Sequence, residues 1–206
     1  MGVLGGIASG KSTAARLLAG PDGVVISADE LAREALDSPA VLERVRARFG
    51  AAAIGPDGRA DRAELARLVF DAERGAEGLA ELEGWTHPLV RDRIAERLRA
   101  ARAAGAPRIV LDVPLLLEND AQHGLVRLCD VLVFVDVHDA ERERRAQSTR
   151  GWKSGEVARR EAAQLPLAVK KRRADHVLPN DQGLPELKEA VARLLPALRG
   201  KSGHAR

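Results

Sequence analysis

Short unbroken apolar runs alternate along the chain with longer stretches whose apolar positions recur every three or four residues. The runs are Val3-Leu4, Val24-Val25-Ile26-Ser27, Ile109-Val110-Leu111, Val131 to Val135 and Val177-Leu178. Runs this short and this rich in Val and Ile read as strands buried on both faces of a parallel sheet. The spacing predicts strands at 24–27, 108–114, 131–136 and 175–180, after a short first strand ending at Leu4. Ala14, Ala15, Leu17 and Leu18 continue from that strand as a helix closed by Gly20-Pro21.

A helical, strongly charged stretch interrupts the strands from 39 to 105. Val41, Leu42, Val45 and Phe49 share one helical face, and Gly55-Pro56-Asp57-Gly58 is a turn. A helix starts near Asp61 and carries Leu65, Leu68 and Val69. A third is expected from Pro88 to Ala104, with His87 as N-cap, Pro88 at its first position, and Val90, Ile94, Leu98 and Ala101 on one stripe. The stretch is an insertion between strands, without internal repeat. Residues 139–173 are densely basic, broken by Gly151 and Gly155, and predict two short helices with a mobile turn. Pro185 opens a last helix bearing Leu187, Val191, Leu194, Leu195 and Leu198, and 200–206 read as a frayed tail.

Between the first strand and first helix stands Gly5-Gly6-Ile7-Ala8-Ser9-Gly10-Lys11-Ser12-Thr13. This is G-x-x-x-x-G-K-S/T in its strand–loop–helix setting. The glycines let backbone N–H groups turn inward around a phosphate chain, and the following helix aims its positive end at the same anion. Lys11 is placed to reach the β- and γ-phosphates, and the Ser12 hydroxyl to ligate Mg²⁺. The loop indicates a nucleoside triphosphate site and leaves the acceptor open.

Composition narrows the partners. The 206 residues hold 45% hydrophobic but only 2% aromatic residues, so bases have few rings to stack on, and single-stranded nucleic acid is disfavoured. A net charge of +3 suits polyphosphate handling better than a nucleic-acid patch. Cys129, the one cysteine, lies between Leu128 and Asp130 and near Val131, reads as a buried inert thiol, and fits a reducing cytoplasm. No stretch approaches the ~20 apolar residues of a membrane span, and no signal peptide is read. Gly6 stands where a myristoylation signal needs Ser or Thr. Only Met1 to Leu4 precede Gly5, so a start upstream is expected, which the intact mass of the native protein checks.

Asp29 and Asp112 follow or end strands, where open α/β sheets meet ligands. Asp29 is placed opposite the γ-phosphate and also suits the N-cap of a helix over 31–36. Asp112 can hold Mg²⁺ or orient its waters. His87 alone reads as structural, and Arg91, one turn on, as a solvated arginine. A basic section beside such a loop can close as a lid and set arginines on a transferring phosphoryl group.

Taken together, 5–13, Ser27-Ala28-Asp29, His87-Pro88-Leu89-Val90-Arg91, 112–118 (Asp-Val-Pro-Leu-Leu-Leu-Glu), Gln164, Ala174-Asp175 and Asn180 resemble the dephospho-CoA kinase family over nearly the whole chain. The resemblance implies an α/β P-loop kinase fold: a five-stranded parallel sheet flanked by helices, a helical substrate domain and a basic lid. The expected division is 1–30, 106–138 and 174–206 for the nucleotide-binding core, 31–105 for the substrate domain and 139–173 for the lid. The implied reaction is ATP plus 3′-dephospho-CoA giving ADP plus CoA, with Mg²⁺, in the cytoplasm. By resemblance Gly6, Ile7, Ala8, Ser9, Gly10, Lys11, Ser12, Thr13 and Asn180 hold the nucleotide, and Asp29, His87, Arg91, Asp112, Leu115 and Leu116 the acceptor. Ser12 and Asp112 are the metal residues, and Asp29, Lys11, Arg145 and Arg150 the catalytic ones.

Three positions depart from the family pattern: Leu4 replaces Thr, Ser27 replaces Asp, and the lid arginines are five apart rather than four. Either Arg145 fills the first lid position through a local bend or Arg142 does; Arg145 with Arg150 is the pair expected. The expected protein is a monomer or weak homo-oligomer with no nucleic-acid or membrane partner. The rival readings are another small-molecule or nucleotide P-loop kinase, a non-enzymatic P-loop switch, which would release no ADP in response to an acceptor, and an arginine-rich RNA binder, whose affinity would fall steeply with salt.

Overall fold

The computed structural model describes residues 1–69 and 75–199, so the expected frayed tail lies outside the described residues. Its strands are β1 (Gly2–Gly5), β2 (Val24–Ser27), β3 (Ile109–Asp112), β4 (Leu132–Asp136) and β5 (His176–Pro179). Its helices are α1 (Lys11–Ala19), α2 (Ala28–Leu36), α3 (Pro39–Phe49), α4 (Arg62–Val69), α5 (Gly75–Ala103), α6 (Asp120–His123), α7 (Asp139–Arg150), α8 (Glu156–Glu161), α9 (Leu167–Arg173) and α10 (Leu184–Arg199). The chain forms two compact units, Met1–Ser27 with Ala101–Arg206, and Ala28–Ala100.

The first unit holds one five-stranded sheet in the order β2-β3-β1-β4-β5. Every pairing is parallel: Gly2 opposes Leu111 and Leu132, Ser27 opposes Asp112, and Asp136 opposes Pro179. Val3, Val110, Val133, Val135 and Leu178 project into one buried cluster with Ala14, Ala15 and Leu18 of α1 and Leu187, Ala190 and Val191 of α10. β1, β3 and β4 are bare Val/Leu runs because the fold buries them between helices, whereas the edge strand β5 alternates, with Leu178 buried and Val177 42% exposed. The chain leaves β1 for one side of the sheet and later crosses to β4 on the other. The loop after β1 therefore sits at the switch point, where open α/β sheets bind ligands.

The second unit is helical. Val41, Val45, Ala53 and Leu65 form its core, with Leu36, Phe49, Leu82, Trp85 and Leu89 packed against them. The Phe49 and Trp85 rings meet edge to face, 6.4 Å between centroids. Asp61 caps α4, its Oδ1 accepting from the amides of Ala63 and Glu64, both at 3.0 Å. The turn at 55–58 closes through Gly58 N–H to the Gly55 carbonyl at 3.0 Å.

Four expectations are corrected. The helix expected to begin at Pro88 is one continuous α5 of 29 residues with Pro88 inside it, so His87 is not an N-cap. Proline withholds one helical hydrogen bond and costs about 3 kcal/mol in isolation. Here Leu82, Trp85 and Leu89 pack into the same core from both sides of Pro88, and that packing carries the helix through. Next, α2 begins at Ala28, which places Asp29 within the first turn instead of at the N-cap. An acid there still meets the positive end of the helix dipole. Residues 139–173 form three helices, not two, and cluster with the sheet unit. Gly151 (φ 65°) and Gly155 (φ 83°) supply the left-handed residues of the intervening turn. Lastly, the helical unit spans Ala28–Ala100, so Asp29 belongs to it and not to the sheet unit.

Candidate active site

The loop between β1 and α1 wraps back on itself, with Ser9 N–H directed at the Gly6 carbonyl at 3.4 Å. Gly10 enters α1 with φ 88° and ψ 25°, and a Cβ there would meet the Asn180 amide nitrogen at 2.7 Å. The loop thus needs glycine both for its backbone conformation and for the approach of Asn180. Asn180 itself is buried. Its Nδ2 donates to the Ser9 carbonyl at 2.8 Å, and its backbone N–H to the Asp136 carbonyl at 2.9 Å. It therefore braces the loop from β5, a positioning role beside the nucleotide contact expected of it. The Ser9 hydroxyl is buried with no partner among the described residues, as is Asn180 Oδ1. Of the two, the Ser9 hydroxyl can donate to a phosphate oxygen, whereas the Asn180 oxygen can only accept.

Lys11 Nζ donates to the carbonyls of Gly5 at 3.2 Å and Gly6 at 2.8 Å. Burial lowers its pKa from 10.5 to about 8, with the nearby Asp112 carboxylate pulling the other way and Lys170 adding to the depression. Ser12 is exposed in the first turn of α1, and Thr13 is half-buried after it. Asp112 is buried at the end of β3, level with Ser27. Among the described residues no three His, Cys, Asp or Glu side chains gather as a metal site. Ser12 with Asp112 suits an ion that takes most of its ligands from phosphates and water, as Mg²⁺ does.

The basic segment contributes more than arginines. Arg142, 3% exposed, pairs with Asp139 at 2.7 Å and Glu161 at 2.6 Å, and reaches the Ile7 carbonyl at 3.3 Å. Glu161 accepts from Ile7 N–H at 2.7 Å. Arg145 is committed elsewhere, to Glu141 at 2.7 Å and to the carbonyls of Asn180 at 2.6 Å and Asp181 at 3.2 Å. Arg150 is exposed and lies over the Trp152 ring, 4.9 Å from its centroid. Arg160 lies over the same ring at 4.3 Å. Of the lid candidates, then, Arg142 touches the loop directly. Glu161 was invisible to sequence reasoning because its partner stands 154 residues away.

The 112–118 segment divides. Leu115 is exposed in a left-handed conformation (φ 54°), free for a ligand. Leu116 is 2% exposed and would collide with any side chain at Gly2, so it packs in the core, and its expected place at the acceptor is corrected on that ground. Glu118 accepts from Lys170 Nζ at 2.6 Å and from Leu165 N–H at 3.3 Å, and Gln164 accepts from the same ammonium at 3.0 Å. Asp175 caps the start of β4, accepting from Leu132 N–H at 2.9 Å. Glu118, Gln164 and Asp175, singled out by resemblance, thus hold structure together. Burial pushes the Cys129 thiol up to about 11, which keeps it unreactive.

In the helical unit, His87 and Arg91 are exposed four residues apart, on one face of α5. Asp29 is exposed, two residues beyond the end of β2.

Comparison with known proteins decides the family. A sequence model of dephospho-CoA kinase matches residues 1–186. This chain belongs to the dephospho-CoA kinase family. Dephospho-CoA kinase of Corynebacterium efficiens is 38% identical over 197 residues, covering 95% of this chain and 94% of the relative. That of Anaeromyxobacter dehalogenans is 42% identical, covering 98% and 93%. Among solved structures, TT1252 from Thermus thermophilus superimposes with a TM-score of 0.74 at 35% identity, covering 98% of this chain and 97% of that one. Dephospho-CoA kinase from Campylobacter jejuni shares the fold with a TM-score of 0.67 at 20% identity, covering 96% and 95%. Membership in the dephospho-CoA kinases makes this a kinase that uses ATP to phosphorylate dephospho-CoA in coenzyme A biosynthesis. No helix among the described residues is long and apolar enough to cross a membrane.

Proposed function

We propose that the chain transfers the γ-phosphoryl group of ATP to the ribose 3′-hydroxyl of 3′-dephospho-CoA, giving ADP and CoA. The observation that carries this is the glycine-and-lysine phosphate loop at the sheet's switch point, in a chain whose family match runs over residues 1–186. Backbone N–H groups of 6–13 hold the phosphates, and Lys11 neutralises the β- and γ-oxygens. Asp29 accepts a hydrogen bond from the 3′-hydroxyl and takes its proton as the oxygen attacks. His87 and Arg91 hold the acceptor, with Leu115 offering apolar contact. Arg150 and Arg142 meet charge on the transferring group, while Arg145 holds Asn180 in place. Asp112 and Ser12 would hold Mg²⁺, which supplies charge neutralisation at the phosphates. Residues 139–173 act as the lid and Ala28–Ala100 as the acceptor-binding domain. A single cysteine, which can form no intrachain disulfide, is in keeping with work in a reducing cytoplasm, and we take the protein as a monomer or weak homo-oligomer.

ADP release with Mg-ATP tests the reading, comparing 3′-dephospho-CoA, CoA, AMP and no acceptor. Stimulation by 3′-dephospho-CoA alone, with CoA identified by mass, is expected. Equal stimulation by AMP would overturn the acceptor assignment.

A further inference from the structure

The Glu161 carboxylate occupies a phosphate-like position on the loop. It accepts from the backbone N–H of Ile7 at 2.7 Å, and Ile7 is one of the four residues between Gly5 and Gly10 whose amides form the cradle. The same oxygen accepts from Arg142 Nη1 at 2.6 Å. A methyl group on Gly6 would meet that nitrogen at 2.6 Å and that oxygen at 2.8 Å, so the pair lies directly on the loop. A carboxylate bound by a backbone amide and a guanidinium has the partners a phosphate oxygen would take.

Two further observations mark this as an exchangeable arrangement. Glu161 is the last residue of α8, where a negative charge meets the negative end of the helix dipole. Its retention there depends on Arg142 and Ile7. Meanwhile the Arg142 Nε–H is buried with no acceptor among the described residues, although the side chain is only 3% exposed. A buried guanidinium with an unused donor, already facing the loop, has capacity for another anion.

We infer that Glu161 is a built-in competitor of the nucleotide: its carboxylate holds the Ile7 amide and Arg142, and an entering triphosphate displaces it and takes both. The inference rests on reading 5–13 as the triphosphate cradle. Phosphate binding then costs the release of Glu161, and lid position and loop occupancy are linked through Arg142.

Calorimetric titration with inorganic tripolyphosphate tests this on the full chain and four variants. Glu161→Gln keeps the shape and removes the competing charge, and should tighten binding about tenfold, the scale of one like charge removed from a partly screened phosphate site. Glu161→Ala should tighten it similarly. Glu156→Gln makes the same charge change at the other end of α8 and should alter affinity by less than about twofold. Lys11→Ala should weaken binding at least about tenfold. If Lys11→Ala weakens binding while Glu161→Gln leaves it unchanged or weaker, the cradle stands and the competitor is refuted. Weakening by Glu161→Ala would mark a structural prop and also refute it. If Lys11→Ala changes nothing, the cradle reading itself fails and the inference with it.

Discussion

Lys170 is the sharpest test of how the lid segment is tied to the sheet unit. Its side chain is 5% exposed and that of Glu118 13%, with nitrogen and oxygen 2.6 Å apart. Gln164 takes a second donor of the same ammonium at 3.0 Å. Replacing Lys170 by Met keeps the length of the stem and removes the charge, leaving Glu118, among the described residues, with the Leu165 amide at 3.3 Å. Removing one partner of a buried ion pair costs about 3–5 kcal/mol, because the remaining charge loses its compensation. For a chain of this size that is a fall in Tm of about 6–20 °C. The double variant Lys170→Met/Glu118→Leu removes both charges and should recover to within about 2 kcal/mol of wild type. Urea unfolding of the four proteins in the cycle gives the coupling directly. A single-variant loss under about 1 kcal/mol, or a double variant that equals the sum of the singles, would refute the compensated pair.

Asp29→Asn should lower kcat by about 10²–10⁴ with ATP affinity unchanged, measured by steady-state kinetics and nucleotide titration, since only the proton acceptor is removed. Near-normal turnover would take Asp29 out of the chemistry. Burial holds the Lys11 pKa at about 8 instead of 10.5, so the ammonium that meets phosphate is lost above that pH. The kcat/KM for ATP should therefore fall on an alkaline limb centred near pH 8, about tenfold per pH unit beyond it. The unfolded chain keeps that proton up to 10.5, so between the two values this residue makes folding more favourable as pH rises, and its deprotonation is not itself a cause of unfolding there. Lys11→Arg should abolish the limb at a lower overall rate, and a wild-type profile flat to pH 9 would refute the assignment. Asn180→Ala strips the Ser9 carbonyl of its donor and should cost about 1–3 kcal/mol of stability together with a raised KM for ATP. A KM unchanged beside lost stability would confine Asn180 to the fold.

What could be read from the residues was what is encoded locally. The Val-rich runs became the five strands and the glycine–lysine loop took its place at the switch point because each depends on neighbours in sequence. Pro88 misled for the same reason: the local rule ends a helix there, whereas Leu82, Trp85 and Leu89 settle the matter through a core whose other members lie at 36–68. The arginines show the limit more clearly. Arg142, Arg144, Arg145 and Arg150 look alike in a basic run, and their partners separate them: the distant Glu161 and Ile7 for the first and Asn180 for the third, against the neighbouring Glu141 for the second and Trp152 ring for the fourth. A resemblance selects residues without separating those that touch substrate from those that hold the site. Glu118, Gln164 and Asp175 belong to the second group here, because each commits a side-chain oxygen to an ammonium or a backbone amide. Asp29, His87 and Arg91 remain exposed, which is the condition for meeting an acceptor. The structure separates the two groups by showing where each donor and acceptor has gone, and of the acceptor residues Asp29, His87 and Arg91 are the polar groups it leaves open to solvent.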